Sequence, residues 1–499
     1  MRLDQPTRAA EGQSLARRFR VAFAWGTFGV ISGRFLQFLT TLVLARMLLP
    51  EDFGALAVAL VVQTIAVNIT DLGATAAIAR AGRDSTEIAP TVLTVSLATS
   101  VLLTGAASAA APALSAAMGN PGATPVVQVM SLTILLAGMS GVPAAFVARD
   151  YRQGSKAAVE SAGGIVALAV AVLLAFLGWG AMALAWSRVA GQAATTVGYW
   201  LVAPVKVRPG LRRDHARTVL GLGLPLAGAN LVVFLALNAD YAIVGSMLGP
   251  QALGYYLLAF TLAGLPSSLV TTAVRSVAVP SFGRLHTAGR LGEEARRILL
   301  LVCSAAMPIA ALVTALAVPL IAVLYGPAWA PAATALAGLG VFSGGRIVAE
   351  LLADICVGAG RTTSLFWIQV LWLGLLAPAL WFAASHGGIG SVGWAHAVVL
   401  WICVLPVYAL VGARAVGTRL SALSRAVALP LAAAVVTGLA AGLVAHAFAV
   451  PLAALMIGGA AGLLVAAVLL RSAVLSAWRS FRGSLDELDA ARSQGGGRP

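Results

Sequence analysis

Apolar residues run through this chain in long blocks rather than in alternation. Stretches of about 20 apolar residues, the number needed to cross a bilayer core of roughly 30 Å, are separated by short clusters of Gly, Pro and charged residues. Cutting the chain at those clusters predicts about fourteen spans. They fall near residues 20–48, 53–73, 89–115, 125–147, 157–177, 181–204, 218–248, 252–274, 298–325, 331–357, 363–384, 390–413, 426–446 and 451–472. In lipid each segment has to satisfy its own backbone groups, so runs of this length are helices. A β-barrel would alternate polar and apolar positions, and none of these segments does.

Composition leads to the same class. The 499 residues are 60% hydrophobic and 10% charged, with a mean hydropathy of +0.93, which no water-soluble domain of this size presents to solvent. The expectation is an all-α, polytopic membrane protein. The first span is too long for a cleavable signal and lacks a small-residue cleavage site, so it is expected to stay as the first helix.

Charge then sets the topology. Short cytoplasmic connections carry the Lys/Arg excess, and all but four of the 33 basic residues fall in the N-terminal tail, on alternate connections, or after the last span. The opposite connections, LPEDF, GNPGATP, LGPQAL and YGPAWAP, carry none. An even number of spans with both termini in the cytoplasm follows. The net charge of +15 is spread over eight cytoplasmic segments without a basic-aromatic module, which argues for topology and anionic-lipid contact and against nucleic-acid binding.

Several chemistries are excluded. The longest connections, 205–217 and 275–297, are too short for a catalytic domain of ordinary size. No phosphate-binding GxxxxGK[ST] loop is present, and Lys156 and Lys206 are the only lysines. Cys303, Cys356 and Cys403 sit in apolar runs without metal-ligand spacing. His215, His286, His386, His396 and His446 are scattered among loops and span ends and read as structural. The NIT at 68–70 lies within or beside a span, where a glycosylation acceptor is discounted. No cofactor and no enzymatic activity are expected.

The four remaining basic residues are Arg34, Arg46, Arg188 and Arg346. Arg46 lies near the outer end of the first span, where a long side chain snorkels to the interface. Arg34 lies about 20 Å along the axis from residue 20, too deep for snorkelling, and is expected to face a wet cavity or a partner. Arg188 lies about 10 Å in from the outer end of the sixth span, among Ser187, Gln192, Thr195 and Thr196. Arg346 shares a helical face with Glu350 and Asp354 at spacing four and eight, readable either as a structural ion pair or as a polar stripe lining a cavity. Asp240, beside Asn238 and above Asn230, could hold a proton or a sodium ion, or serve merely at a helix end. Glu160 and Asp71 read as cytoplasmic-rim carboxylates, with Lys156 a partner for Glu160.

Residues 42–60, LVLARMLLPEDFGALAVAL, are partly repeated at 242–260, AIVGSMLGPQALGYYLLAF. Met47, Leu48, Pro50, Gly54 and Ala59 fall on Met247, Leu248, Pro250, Gly254 and Ala259. A parallel repeat six spans apart predicts two six-helix lobes around a central cavity, 20–204 and 218–413, joined by the basic linker 205–217. Helices 13 and 14 occupy 414–472, with cytoplasmic tails at 1–19 and 473–499.

The stretch RFLQFLTTLVLARMLLPEDFGALAVALVVQTIAVNITDLG and its later partner NADYAIVGSMLGPQALGYYLLAFTLAGLPSSLVTTAVRSVAVPSFGRL resemble the Wzx-type polysaccharide flippases of the exopolysaccharide or colanic-acid branch. These belong to the multidrug, oligosaccharidyl-lipid and polysaccharide (MOP) superfamily. The resemblance spans essentially the whole chain. It implies transfer of undecaprenyl-diphosphate-linked oligosaccharide repeat units across the bacterial cytoplasmic membrane by alternating access, for surface polysaccharide synthesis. It also implies membrane lipids and a polysaccharide polymerase or export machinery as partners, and coupling to a proton or sodium gradient. Arg34, Arg188 and Arg346 are the candidate phosphate contacts. Gln37, Gln192 and Asn230, with Thr40 and Thr41, are candidates for the sugar, and Asp240 and Glu350 for the coupling ion. A cation-coupled multidrug exporter of the same superfamily is the alternative, though it predicts an acidic, aromatic cavity. A membrane glycan polymerase or ligase would need a large extracytoplasmic loop, which is missing.

Overall fold

A computed structural model describes residues 31–64, 85–150, 152–212, 214–215, 238–287 and 291–495, together with residues 25, 26 and 29. The N-terminal tail 1–19, residues 65–73 of the second span with Asp71 and the NIT sequence, and residues 218–237 with Asn230 lie outside them. Every regular element among the described residues is helical, and nine helices there are long and apolar enough to cross a membrane. The expected number of fourteen rests partly on residues outside that set.

The chain divides by internal contacts into two compact units, Met1–Gly254 and Tyr255–Pro499. The first contains α1 (Ile31–Ala45), α2 (50–64), α3 (Ser85–Ala117), α4 (Thr124–Arg149), α5 (Gln153–Phe176), α6 (Ala181–Val202) and the start of α7 (Ala239–Thr287). The second contains the rest of α7, α8 (Leu291–Ala315), α9 (Ala317–Leu324), α10 (Ala332–Gly358), α11 (Thr362–Val398), α12 (Leu405–Ala415), α13 (Leu420–His446) and α14 (Pro451–Gly495). α4 is the most enclosed span of the first unit and α10 of the second. Phe176, Leu102, Leu201, Leu443 and Val468 are exposed. Large apolar side chains turned outward in helices of this length make a lipid-facing surface.

Helix breaks fall where the backbone requires glycine. Within α7, Gly249 takes φ 85° and ψ 175° just before Pro250, and Gly326 takes φ 92° and ψ 178° just before Pro327. That region is accessible essentially to glycine alone, and the following proline, with φ preset, opens the next helix. Gly388, at φ 67°, breaks α11 between the two spans expected at 363–384 and 390–413. A π-helical stretch, Val399–Val404, runs into Pro406 at the start of α12. The wider turn accommodates a ring that cannot donate a backbone hydrogen bond.

The turn repeated in the sequence is resolved at atomic level inside the first unit. At the first copy Pro50 opens α2, and the Leu49 amide donates to Asp52 Oδ2 at 3.0 Å, the reach-back half of a capping box. A Cβ added at Gly54 would lie 2.0 Å from the Pro250 carbonyl oxygen, and one at Gly254 would lie 1.8 Å from the Pro50 carbonyl oxygen. The two copies therefore clasp each other reciprocally, each glycine receiving the other's proline carbonyl. Gly119 and Gly245 form a further close crossing between the end of α3 and α7.

The linker after α6 is docked rather than slack. Val207 is buried against Ala89, Val92, Leu93 and Phe146 of α3 and α4. The Gly210 amide donates to Thr94 Oγ1 at 2.9 Å, and that hydroxyl donates to the Gly210 carbonyl at 3.0 Å. The Arg212 amide donates to Thr91 Oγ1 at 3.1 Å, and its guanidinium pairs with Glu87. The Thr94 hydroxyl hydrogen is shared with the Pro90 carbonyl at 2.9 Å, and replacing Thr94 by valine removes both bonds to Gly210 at an expected cost of about 1 kcal/mol. Limited proteolysis would read this as faster cleavage between residues 205 and 212, with the rest of the first unit intact.

Candidate functional site

Four helices of the first unit, α1, α2, α5 and α6, enclose a cavity of about 300 Å³. α5 and α6 approach closely because small residues meet at the crossing, Gly163 and Ala167 on α5 against Gly191 and Thr195 on α6. A Cβ at Gly163 would meet Thr195 Oγ1 at 2.0 Å, and a Cβ at Gly191 would meet the Gly163 carbonyl at 2.9 Å. Small residues at such crossings are the usual device for close packing in membranes. They also clear space, since Gly33, Gly163, Gly164 and Ala167 all line the cavity. Its apolar lining comes from Leu36, Leu44, Phe53, Leu56 and Leu184.

The polar lining consists of Gln37, Thr40 and Thr41 on α1, Glu160 on α5, and Ser187, Arg188, Gln192 and Thr195 on α6. The four hydroxyl hydrogens are used within their own helices. Thr40 donates to the Leu36 carbonyl, Thr41 to Gln37, Ser187 to Leu184 and Thr195 to Gly191, at 2.8 to 3.0 Å. Their oxygens are left as acceptors. Donors toward the cavity are therefore the amides of Gln37 and Gln192 and the guanidinium of Arg188. Among the described residues, the Arg188 side chain makes no hydrogen bond and no ion pair. Glu160, the one carboxylate lining the cavity among the described residues, is engaged through Oε1 with the Tyr199 hydroxyl at 2.9 Å and with Lys156 Nζ at 3.9 Å. An intramembrane guanidinium without a countercharge beside it is costly unless water or an anionic ligand receives it.

The expected site residues divide into groups. Gln37, Arg188 and Gln192 are brought together in this cavity, and Thr40, Thr41, Ser187 and Thr195 join them. Thr196 turns away, donating to the Leu136 carbonyl of α4 at 3.0 Å. Arg34 is exposed and sits next to Gly33, which lines the cavity. Arg346 Nε pairs with Glu350 Oε1 at 2.9 Å in α10 of the second unit, the ion-pair geometry expected of spacing four. Asp240 is buried in the first turn of α7, where a carboxylate is favoured by the helix dipole. Asn230 lies outside the described residues. His396, read from the sequence as one of the scattered histidines, is part of the core of the second unit. Its Nε2 is 2.9 Å from the Tyr256 hydroxyl, and Phe260 and Phe342 pack around the ring.

Glu160 is the cavity residue that sequence reasoning left at the cytoplasmic rim. Its pairing with Lys156 is present, but its position three, four and seven residues before Gly163, Gly164 and Ala167 puts it on their face. That face, bare of side chains, was the available signal.

The sequence matches the family described as "Polysaccharide biosynthesis protein" over residues 43–334. It is similar to the succinoglycan biosynthesis transport protein ExoT of Rhizobium meliloti, 27% identical over 389 residues, or 78% of this chain and 76% of that one. It is also similar to the teichuronic acid biosynthesis protein TuaB of Bacillus subtilis, 23% identical over 239 residues, or 47% of this chain and 48% of that one. Among solved structures it resembles the lipid II flippase MurJ in an inward closed conformation, with a TM-score of 0.73 at 13% identity, over 91% of this chain and 100% of that one. An inward-facing MATE family transporter of the MOP superfamily aligns with a TM-score of 0.59 at 16% identity, over 81% and 95% of the two chains. At these identities the structural likeness establishes a shared fold.

Proposed function

We propose, taking as premise that this chain belongs to the polysaccharide biosynthesis protein family, that it flips undecaprenyl-diphosphate-linked oligosaccharide repeat units across the bacterial cytoplasmic membrane by alternating access. It is a multi-pass membrane transporter with the MOP-superfamily fold rather than an enzyme. The observation that carries the finer reading is the half-buried Arg188, free of any acidic partner among the described residues, in a cavity whose other polar lining is amides, hydroxyl oxygens and the Glu160 carboxylate. A guanidinium bonds phosphate oxygens through two parallel N–H groups. Gln37 and Gln192 offer donor and acceptor to sugar hydroxyls, and the threonine oxygens accept from them. A multidrug exporter selective for organic cations would gain nothing from an uncompensated arginine at this place.

In this reading Arg34, one position along α1 from the cavity lining, supplies a second cation on the route from the cytoplasmic leaflet. Coupling to a proton or sodium gradient would fall to Asp240 or Glu350. Glu350 would have to exchange the ion with Arg346, its present partner at 2.9 Å. Both termini lie in the cytoplasm, and a polysaccharide polymerase receives the product on the other side.

The test is depletion of the protein in its native cells, with lipid-linked glycan, surface polysaccharide and drug susceptibility measured together. The expected result is accumulation of diphosphate-linked repeat units on the cytoplasmic side and loss of surface polymer. Unchanged glycan with heightened sensitivity to cationic drugs would replace this reading with the exporter.

A further inference from the structure

The cavity of the first unit has two chemically different ends. α5 and α6 are consecutive, antiparallel and joined by the short connection 177–180. Arg188 is seven residues from that connection and Glu160 about sixteen, which at 1.5 Å per residue separates them by about 14 Å along the helix axes. The guanidinium thus stands toward the connection and the carboxylate toward the Lys156 end.

Glu160 is held in a way that a simple surface carboxylate is not. Tyr199 and Lys156 both engage Oε1, while Oε2 has no partner among the described residues. Tyr199 is itself buried, packed with Val147 and Val159, so the carboxylate is fixed from behind by a rigid donor with one oxygen left for the cavity. A carboxylate presented in this way accepts hydroxyl hydrogens in charge-assisted bonds. It also repels an anion placed at the same point.

We infer that Glu160 is the specificity-determining residue of the cavity, reading the saccharide about 14 Å from the phosphate-binding Arg188 and selecting a neutral or amine-bearing sugar over an acidic one. This rests on the flippase reading, which supplies a ligand with a diphosphate at one end and sugar hydroxyls at the other. Glu160 accepts from the sugar hydroxyls, Tyr199 keeps the carboxylate aimed, and Lys156 balances its charge when the cavity is empty. A uronic acid in the same place would set carboxylate against carboxylate, a like-charge juxtaposition that disfavours the acidic ligand.

The experiment uses the purified full-length protein in lipid nanodiscs and two soluble probes, short-chain prenyl diphosphate disaccharides ending in glucose or in glucuronic acid. Binding of both is measured by calorimetry to the unsubstituted protein and to the Glu160→Gln, Tyr199→Phe and Arg188→Ala variants, each first checked for an unchanged melting profile. The glucose probe is expected to bind about ten-fold more tightly than the glucuronate probe, about 1.4 kcal/mol of discrimination. Glu160→Gln should erase that ratio, Tyr199→Phe should reduce it, and Arg188→Ala should weaken both probes alike. Equal binding of the two probes, both dependent on Arg188, would overturn the role of Glu160 and leave the flippase reading standing. The same holds if the preference survives in Glu160→Gln. Failure of both probes to bind the unsubstituted protein would overturn the flippase reading and this inference with it.

Discussion

Replacing Gly254 by alanine is expected to lower the stability of the protein by about 3 kcal/mol, at the upper end of the ordinary range for overpacking, and to abolish surface polysaccharide export. The added methyl would start 1.8 Å from the Pro50 carbonyl oxygen. Neither side can yield cheaply, because the obstructing atom is backbone in the first turn of α2 and the glycine lies in helical backbone five residues after the Gly249 break. Gly54→Ala should behave in the same way, since its methyl would start 2.0 Å from the Pro250 carbonyl. Gly105 in α3 provides the control. Nothing lies within 4 Å of its Cβ position, so Gly105→Ala is expected to be neutral or to stabilise by up to about 1 kcal/mol through helix propensity. Thermal unfolding in detergent, paired with complementation of export, checks all three. A Gly254→Ala protein with an unchanged melting profile would show that the reciprocal clasp does not constrain the fold.

Arg188→Ala is expected to weaken diphosphate binding by about 100-fold or more, the loss of two charge-assisted hydrogen bonds worth about 1.5–3 kcal/mol each. Flipping in proteoliposomes should fall correspondingly. Arg188→Lys retains the charge without the planar fork and should recover only part of the affinity, about ten-fold below the unsubstituted protein. The fold should tolerate both changes, because Arg188 has no hydrogen bond or ion pair to lose among the described residues. In this it differs from Arg346, where truncation would leave Glu350 without its 2.9 Å partner and damage stability as well as activity. Full transport by Arg188→Ala would remove the main support for a phosphate site in this cavity.

Much of the fold was legible because membrane helices advertise themselves. The apolar blocks had to be helical, and the breaks at Gly249 and Gly388 were marked by Gly and Pro where the runs changed. The five matched positions of the internal repeat included the two prolines and two glycines that meet each other in the clasp. Their mutual contact was not legible, because a repeat states that two segments are alike and says nothing of whether they touch. The polar half of α6 identified Arg188 and Gln192 through an energetic argument, since such residues are poorly placed against lipid. Glu160 was less legible, because its neighbour Lys156 offered an adequate reason for its presence. Which residues encircle one space depends on helix rotation, and for α5 this was encoded in the absence of side chains at Gly163 and Gly164. The docking of the linker was hidden for another reason: it depends on Thr91 and Thr94, more than a hundred residues earlier in the chain.

That docking has a consequence for how the protein is made. Residues 203–212 leave the ribosome directly after α6, and their partners in α3 and α4 are by then already synthesised. The ends of α3, α4 and α6 nearest the linker can thus be sealed together within about ten residues of the end of α6, before any later helix exists. What cannot yet form is the clasp, since Pro250 and Gly254 come some forty residues later still. Biogenesis therefore has a natural order in which the linker end of the first half closes early, and the turn at Pro50 and Gly54 waits open for α7.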